Sequence, residues 1–303
     1  MGAPAVPDRA VGGGADDEGR APVTQEAHTG AAHTGGGDDG RPPRRPGKWR
    51  TRRPVPPGIW LAIVVVYPVA SLLFRLRYRH GERIPATGPV LLVANHVSVL
   101  DPLACGRLVF DNGRIPHFLA KESLFTGILG TLLRAAGQIP VARHTTHAKG
   151  SVSAAQYALA ENRVVVIYPE GSVTRDPDWW PMQARTGVAR LALTTDAVVV
   201  PVAQWGPQRL HDYHTKKWHV RLRTPTDYNV GEPVDLESLR AEVRDGRPLT
   251  GDLLRQTTDL IMARIRDLLG ELREEQPPSA FYSRPVPELP GDVSGTSASG
   301  SAA

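Results

Sequence analysis

Residues 90–102 read VLLVANHVSVLDP and hold, in one short stretch, a strand, a loop and the start of a helix. Val90–Ala94 is a continuous apolar run of the length expected for a strand that is buried on both faces of a parallel sheet. Pro102 is favoured at the first position of a helix, and Asp101 before it is predicted to be the N-cap. A strand that passes through a polar loop into a helix is the unit from which α/β domains are built.

The chain from Pro85 onward repeats this alternation. Short apolar runs predict four further strands: Pro116–Ala120, Gln138–Val141, Val164–Tyr168 and Val198–Val202. Longer stretches between and after them predict helices: Ser123–Ala136, Ala148–Glu161, Arg185–Thr195 and a last helix at about Thr250–Arg273. The predicted fold is therefore α/β, with a mostly parallel central sheet flanked by helices.

Charge is distributed unevenly along the 303 residues, although its formal sum is only +5. Residues 1–40 are rich in Gly, Ala, Asp and Thr and carry about −5, whereas 41–53 carry about +7. A segment with so few large apolar side chains cannot bury a core, so 1–57 is predicted to be a disordered tail. The basic arm at 41–53 is predicted to lie on an anionic membrane surface.

An uncharged apolar stretch, GIWLAIVVVYPVASLLF at 58–74, follows the arm and leads into a basic stretch that ends at His80. It is slightly shorter than the ~20 residues that cross a bilayer as a helix, and basic residues flank both ends. We predict a membrane-associating helical segment at 58–80, with an ordinary buried helix as the alternative. The protein is then expected at the cytoplasmic face of the cell membrane, peripheral or monotopic. The folded domain is predicted at 81–275, and a second disordered tail at 276–303.

Composition and motif context exclude several classes of protein. Cys105 is the only cysteine, which excludes a disulfide framework and a cysteine-built zinc site. The small positive charge is no signature of nucleic-acid binding. Residues 35–40 match the glycine pattern of dinucleotide sites, but they follow no predicted strand. His211, His214 and His219 lie in a lysine-containing loop and are predicted to be solvated rather than to bind a metal.

The polar loop after the first strand holds a histidine and an aspartate with four residues between them, His96 and Asp101. They cannot share one face of a regular helix, because five residues turn through about 140° net. A loop followed by a helix can instead bring the imidazole back onto the carboxylate. Asp101 then holds one ring nitrogen and leaves the other as a base. The alternative is a loop histidine beside a capping aspartate.

Three more sequence blocks stand where predicted strands end. They are Gly137–Arg143 (GQIPVAR), Tyr168–Asp176 (YPEGSVTRD) and Val200–Val202 (VPV). Together with the Asn-His-x4-Asp string at 95–101, this ordered set resembles the glycerolipid acyltransferase family over roughly residues 84–239. The family pattern has Asn-His, four residues and Asp, then a Gly-to-Arg block, a Pro-Glu-Gly-Thr-Arg block and a Val-Pro-Ile/Val block.

The resemblance implies transfer of a fatty acyl group from acyl-CoA or acyl carrier protein to the free hydroxyl of lysophosphatidic acid, with no cofactor or metal. It implies that His96 takes the proton of the attacking hydroxyl while Asp101 orients the imidazole. Arg143 falls at the family's phosphate-binding arginine, and a guanidinium suits phosphate because it donates two parallel hydrogen bonds. Glu170 and Gly171 match the acceptor-binding block, and we expect Glu170 to hold the glycerol hydroxyl or a neighbouring cation.

This chain departs from the family pattern at several substrate-binding candidates. Ser172 replaces the family's Thr and keeps its hydroxyl, whereas Arg175 stands two residues later than the pattern places it. Arg185 stands where the family often has Lys, which keeps the charge and changes its geometry. Lys121, at the end of the second predicted strand, either joins the phosphate cluster or is solvated.

Two alternatives to the implied function stay open on the sequence. The first keeps the chemistry and changes the acceptor to glycerol 3-phosphate, a lysophospholipid or an amino-acid lipid. The second is a non-catalytic lipid-binding protein. A poised base at His96 argues against the second alternative, because a protein that only binds lipid has no use for one.

Overall fold

The computed structural model describes residues 57–141, 148–219 and 221–283, and in them the predicted α/β fold is confirmed. Seven strands form one sheet: β1 (Phe74–Arg79), β2 (Val90–Ala94), β3 (Pro116–Lys121), β4 (Ile139–Val141), β5 (Val164–Ile167), β6 (Val198–Trp205) and β7 (Thr224–Val230). Their order across the sheet is β1-β7-β6-β2-β5-β3-β4. Neighbouring strands are parallel except for β6 and β7, which are antiparallel. The predicted basic arm at 41–53 lies outside the described residues.

Strand β2 lies near the middle of the sheet because all of its residues are apolar. Val90, Leu92 and Ala94 belong to the core on one face, and Leu91 and Val93 belong to the core on the other. Successive side chains of a strand point to opposite faces, so an uninterrupted apolar run needs cover on both sides.

Helices supply that cover. They are α1 (Pro57–Leu73), α2 (Asp101–Asp111), α3 (Gly127–Ala135), α4 (Ala148–Ala160), α5 (Gly187–Thr194), α6 (Glu237–Arg244) and α7 (Gly251–Arg273). Helices α1 and α2 pack on one face of the sheet through Ala70 and Leu108. Helices α4, α5 and α7 pack on the other face through Leu159, Leu191 and Ile265. The sheet therefore separates two apolar cores.

The segment predicted to be helical at 58–80 is helical only as far as Leu73. Strand β1 begins at Phe74, which is fully buried, and its exposed arginines alternate with half-buried residues. This alternation has the period of a strand with one solvated face. Arg77 pairs with Asp227 of β7 through two hydrogen bonds of 2.5 and 2.8 Å. The end of the predicted membrane segment thus belongs to the sheet.

Helix α1 keeps apolar side chains on the outside of the domain. Trp60, Val64 and Leu72 are each more than half exposed, whereas Ala70 is buried against the sheet. None of the helices in the described part of the chain combines the length and the apolar character that crossing a bilayer requires.

Two other regions differ from the sequence-based predictions. Strand β7 was not predicted, because its buried positions include the polar residues Thr224 and Thr226 and its apolar pattern is weak. The predicted tail at 276–283 packs on the domain instead. Phe281 contacts the core, and the carbonyl of Tyr282 accepts a hydrogen bond of 2.9 Å from the backbone of residue 183.

Candidate active site

His96 and Asp101 meet in the loop that joins the carboxyl end of β2 to α2. His96 Nδ1 lies 2.8 Å from Asp101 Oδ2. The same oxygen accepts hydrogen bonds from the backbone N–H groups of Val97 and Ser98, at 2.6 and 2.9 Å. A carboxylate accepts hydrogen bonds and does not donate them, so Nδ1 carries the proton and Nε2 keeps its lone pair. The pair therefore presents one basic nitrogen.

Asp101 does not act as the N-cap that the sequence predicted. It is the first residue of α2, the cap position belongs to Leu100, and the carboxylate turns back to the loop. Burial raises the pKa of the Asp101 carboxyl, and the hydrogen bonds from His96, Ser98 and Val97 oppose that rise. The loop backbone thus holds the carboxylate in the orientation that His96 needs.

Asn95 joins the start of this loop to strand β6. Its Nδ2 donates to the carbonyl of Gln204 at 3.1 Å, and the backbone N–H of Gln204 donates to Asn95 Oδ1 at 2.8 Å. The hydroxyl of Tyr228 donates in turn to Gln204 Oε1 at 3.1 Å. All three side chains are buried, so each needs these partners. Asn95 therefore anchors the start of the His96 loop to β6.

Tyr168 sets the plane of the imidazole, a role that the sequence did not indicate. The rings of Tyr168 and His96 are stacked, with centroids 4.3 Å apart and an angle of 18° between their planes. Burial is the main reason that the pKa of Tyr168 is raised well above its usual value, so the phenol stays neutral. An aromatic residue at the end of a buried strand resembles ordinary core, which is why pattern reasoning missed it.

Glu170 braces the same loop with both carboxylate oxygens. Oε1 accepts a hydrogen bond of 2.8 Å from the backbone N–H of His96, and Oε2 accepts one of 3.0 Å from the N–H of Met182. The side chain is only 1% exposed. Hydrogen bonds to an ionised group are among the stronger ones in proteins. The structure therefore shows Glu170 holding the backbone of His96 and Met182, and its expected contact with the glycerol hydroxyl stays a prediction.

His96 borders a cavity of about 950 Å³. Much of the wall is apolar and comes from α1, α2, β3 and α3, through Ile63, Val66, Leu103, Phe118, Leu129 and Leu132. Polar groups also contribute to the lining: Lys121, Ser172, Arg185 and Tyr213. An apolar cavity with a few polar groups beside a basic nitrogen can hold a long hydrocarbon chain and a charged head group at once.

Gly171 and Arg185 lie together at this cavity. Gly171 has a φ of +71°, and a Cβ at this position would lie 2.9 Å from Arg185 Nε. The backbone conformation favours glycine here, and a larger residue would also displace the Arg185 side chain. The backbone N–H of Arg185 donates to the carbonyl of Pro169 at 2.9 Å, which joins the two loops. Lys121 is exposed at the end of β3.

Of the other two arginine candidates, one lies away from the cavity lining and the other lies outside the described residues. Arg175 is exposed and does not belong to the lining of the cavity. Arg143 lies outside the described residues; the strand before it, β4, ends at Val141, which borders the cavity.

The histidines considered as metal ligands have aromatic contacts instead. His214 stacks on Trp179 with ring centroids 4.0 Å apart, and His211 meets the ring of Trp218 edge-on at 4.5 Å. His219 is exposed. Across the described residues, no three His, Cys, Asp or Glu side chains are grouped so that they could hold a metal ion.

Comparison with known proteins shows which family part of the chain is similar to. Residues 75–205 match the family model described as Acyltransferase. This region of the chain is similar to the acyltransferase family. The matched region runs from β1 to the end of β6 and includes His96, Asp101 and the bracing Glu170.

Curated relatives of this chain carry the names of glycerolipid acyltransferases. The 1-acyl-sn-glycerol-3-phosphate acyltransferase alpha of Bos taurus is 28% identical over 57% of this chain and 64% of its own length. The alpha protein of Homo sapiens is also 28% identical, over 57% of this chain and 65% of its own length. The chain thus spans slightly less than two thirds of the length of these curated relatives.

A solved structure shares the fold. The 1-acyl-sn-glycerophosphate (LPA) acyltransferase from Thermotoga maritima aligns with a TM-score of 0.51, over 72% of this chain and 80% of that chain. The two sequences are 20% identical. At that identity the likeness describes the α/β architecture and carries no conclusion about substrates.

Proposed function

We propose that this protein transfers a fatty acyl group from a thioester donor, acyl-CoA or acyl carrier protein, to the free hydroxyl of lysophosphatidic acid. The products are phosphatidic acid and the free thiol, in phospholipid biosynthesis. The observation that carries the proposal is the hydrogen-bonded pair of His96 and Asp101 at the edge of an apolar cavity. The names of the relatives support lysophosphatidic acid as the acceptor.

In the proposed reaction, His96 Nε2 takes the proton of the acceptor hydroxyl as its oxygen attacks the thioester carbonyl. The carbon–sulfur bond then breaks, and the imidazolium returns the proton to the leaving thiolate. Asp101 stabilises the positive charge that His96 acquires. Such a base contributes about 10²–10⁴ to the rate. No enzyme nucleophile is required, because the hydroxyl attacks the donor directly.

We further propose that the protein attaches to the cytoplasmic face of the cell membrane, peripheral or monotopic, through apolar residues of α1 and α3. Val64 is 63% exposed and Ile128 is 84% exposed. The same helices line the cavity through Ile63 and Leu132. A lipid-facing surface built from the walls of the cavity gives an acyl chain a short path between the bilayer and the site.

Replacing two of these exposed residues, Val64→Asp with Ile128→Asp, is expected to weaken binding to vesicles at least about tenfold. Burying one apolar side chain of this size contributes about 1.5–3 kcal/mol, and a carboxylate reverses that gain. Flotation with phosphatidylcholine–phosphatidylglycerol vesicles measures the bound fraction. The matched control is Leu260→Asp, an exposed apolar residue on α7. Unchanged flotation of the double variant would reject this membrane surface.

The acceptor is tested by supplying radiolabelled acyl-CoA with lysophosphatidic acid, glycerol 3-phosphate or a lysophosphatidylcholine. We expect lysophosphatidic acid to give the highest rate. In the same assay, Arg185→Ala is expected to raise the KM of lysophosphatidic acid about tenfold and to leave that of the donor nearly unchanged, because a charge-assisted hydrogen bond to phosphate is lost. We expect the same of Arg143→Ala, at the family's phosphate position.

Arg175→Ala is the matched control for this experiment, since its guanidinium is exposed and outside the cavity lining. It is expected to change neither KM by more than about twofold. Equal increases in both KM values for Arg185→Ala would contradict a phosphate-binding role. A higher rate with another acceptor would show that this acceptor, and not lysophosphatidic acid, is the substrate. The proposed acyl transfer itself would still stand.

A further inference from the structure

Residues 211–219, which we call the basic hairpin, lie between β6 and β7 and have no role in the reaction as described. His211 and Trp218 form an antiparallel bridge, and the backbone N–H of Asp212 donates to the carbonyl of Lys217 at 3.0 Å. Residues 214–219 are all exposed, and two of them, Lys216 and Lys217, are cationic. The hairpin therefore presents positive charge to solvent.

The basic hairpin is attached to the loops of the candidate active site. Ser98 Oγ donates to the carbonyl of His211 at 3.2 Å. The Nε2 of His214 lies 3.0 Å from the carbonyl oxygen of Thr174, and the N–H of Thr174 donates to the carbonyl of His96 at 2.8 Å. These contacts hold the hairpin against both the His96 loop and the loop that follows β5, so its charges have a defined position beside the site.

The hairpin also reaches the cavity itself. Tyr213 borders the cavity, and Lys216 Nζ lies 3.3 Å from the centre of the Tyr213 ring. Lys217 is the next residue, and Trp218 is 61% exposed. Two lysines that precede an exposed tryptophan in one hairpin suit a phosphorylated nucleotide, because lysine pairs with phosphate and an indole stacks on a purine.

We infer that the basic hairpin binds the adenosine phosphates of a CoA-thioester donor, with Lys216 and Lys217 paired to phosphate and Trp218 stacked on the adenine. The inference rests on the proposed acyl transfer and names the donor for it. Lys121, at the end of β3, and Arg185 line the cavity away from the hairpin, so the acceptor phosphate has separate cationic partners. The open indole favours a nucleotide over an acidic carrier protein, which has no purine to stack.

The test compares the wild type with the double variant Lys216→Ala/Lys217→Ala, and with Trp218→Ala. Isothermal titration calorimetry with free CoA is expected to give a dissociation constant about tenfold weaker for the double variant, which loses two contacts to phosphate, and severalfold weaker for Trp218→Ala, which loses the stacking surface. The KM of palmitoyl-CoA is expected to rise by the same factor. Palmitoyl-N-acetylcysteamine, a thioester without a nucleotide, is expected to react equally well with the wild type and with both variants.

The matched control removes two exposed arginines of α7, Arg255→Ala/Arg264→Ala, and is expected to leave CoA binding unchanged. Unchanged affinity of the Lys216 and Lys217 variant for CoA would overturn the inference. The inference would also be overturned if the double lysine variant raised the KM of palmitoyl-CoA and that of palmitoyl-N-acetylcysteamine equally. The same holds if this variant lost vesicle flotation while its CoA binding stayed intact. CoA binding that depends on the hairpin without any acyl transfer by the wild type would instead reject the proposed function, so the two failures are distinguishable.

Discussion

His96→Ala is expected to lower the rate of acyl transfer to lysophosphatidic acid about 10²–10⁴-fold, because the variant has no base to take the proton of the attacking hydroxyl. The carboxylate of Asp101 keeps the hydrogen bonds from Val97 and Ser98, and Glu170 still accepts from the backbone at position 96. The loop should therefore hold its shape. The release of free CoA from acyl-CoA, followed with a thiol reagent, measures the rate.

Two further measurements separate a chemical effect from an unfolding effect. Vesicle flotation and the thermal unfolding midpoint of His96→Ala are expected to stay close to those of the wild type. The matched control is His80→Asn, which removes an exposed imidazole at a residue with a φ of +59°, where asparagine is tolerated. Full turnover by His96→Ala would refute the assignment of the base.

Asp101→Asn is expected to reduce kcat/KM about 10²–10³-fold, a smaller loss than for His96→Ala. The two backbone N–H groups that meet Oδ2 select the amide oxygen for that position, so the variant can still accept the Nδ1 proton of His96. What it loses is the negative charge that stabilises the imidazolium. Initial rates at several acceptor concentrations measure this change.

The thermal unfolding midpoints of two Asp101 variants distinguish stabilisation of the imidazolium from a purely structural role of Asp101. Asp101→Ala leaves the N–H groups of Val97 and Ser98 buried without a partner, which costs about 1–3 kcal/mol for each. Asp101→Asn keeps both partners, so its unfolding midpoint should lie above that of the alanine variant. An asparagine variant that is as active as the wild type would show that Asp101 only holds the loop together.

The centre of the sheet was predictable because its strands are apolar on both faces. The runs at Val90–Ala94, Val164–Ile167 and the start of β6 need cover on two sides. An uninterrupted run of apolar residues shows this requirement in the amino-acid sequence alone. The edge of the sheet was less predictable. Strand β1 follows an apolar helix directly, with no turn between them, and β7 buries threonines. Neither strand therefore has the sequence pattern of a core strand.

The candidate site, like the sheet, was predictable only in part. Motif spacing identified His96, Asp101 and Glu170, and the structure brings them together around one loop. The directions of the two carboxylates were not predictable, because both accept backbone N–H groups whose positions depend on the folded loop. The roles of Tyr168 and Tyr213 were not predicted, because the stacking of Tyr168 on His96 and the position of Tyr213 at the cavity depend on the folded chain.

The amino-acid sequence by itself determined the α/β class and the central strands, and it predicted His96 and Asp101 as the reacting groups, since apolar periodicity and the spacing of these two residues are local properties. Only the tertiary structure decided that Asp101 faces the imidazole rather than capping α2, that Glu170 braces the loop, and that the basic hairpin lies at the cavity. Hydrogen bonds and stacking depend on where the packed elements place atoms from separate parts of the chain, and packing of the sheet and helices sets those positions.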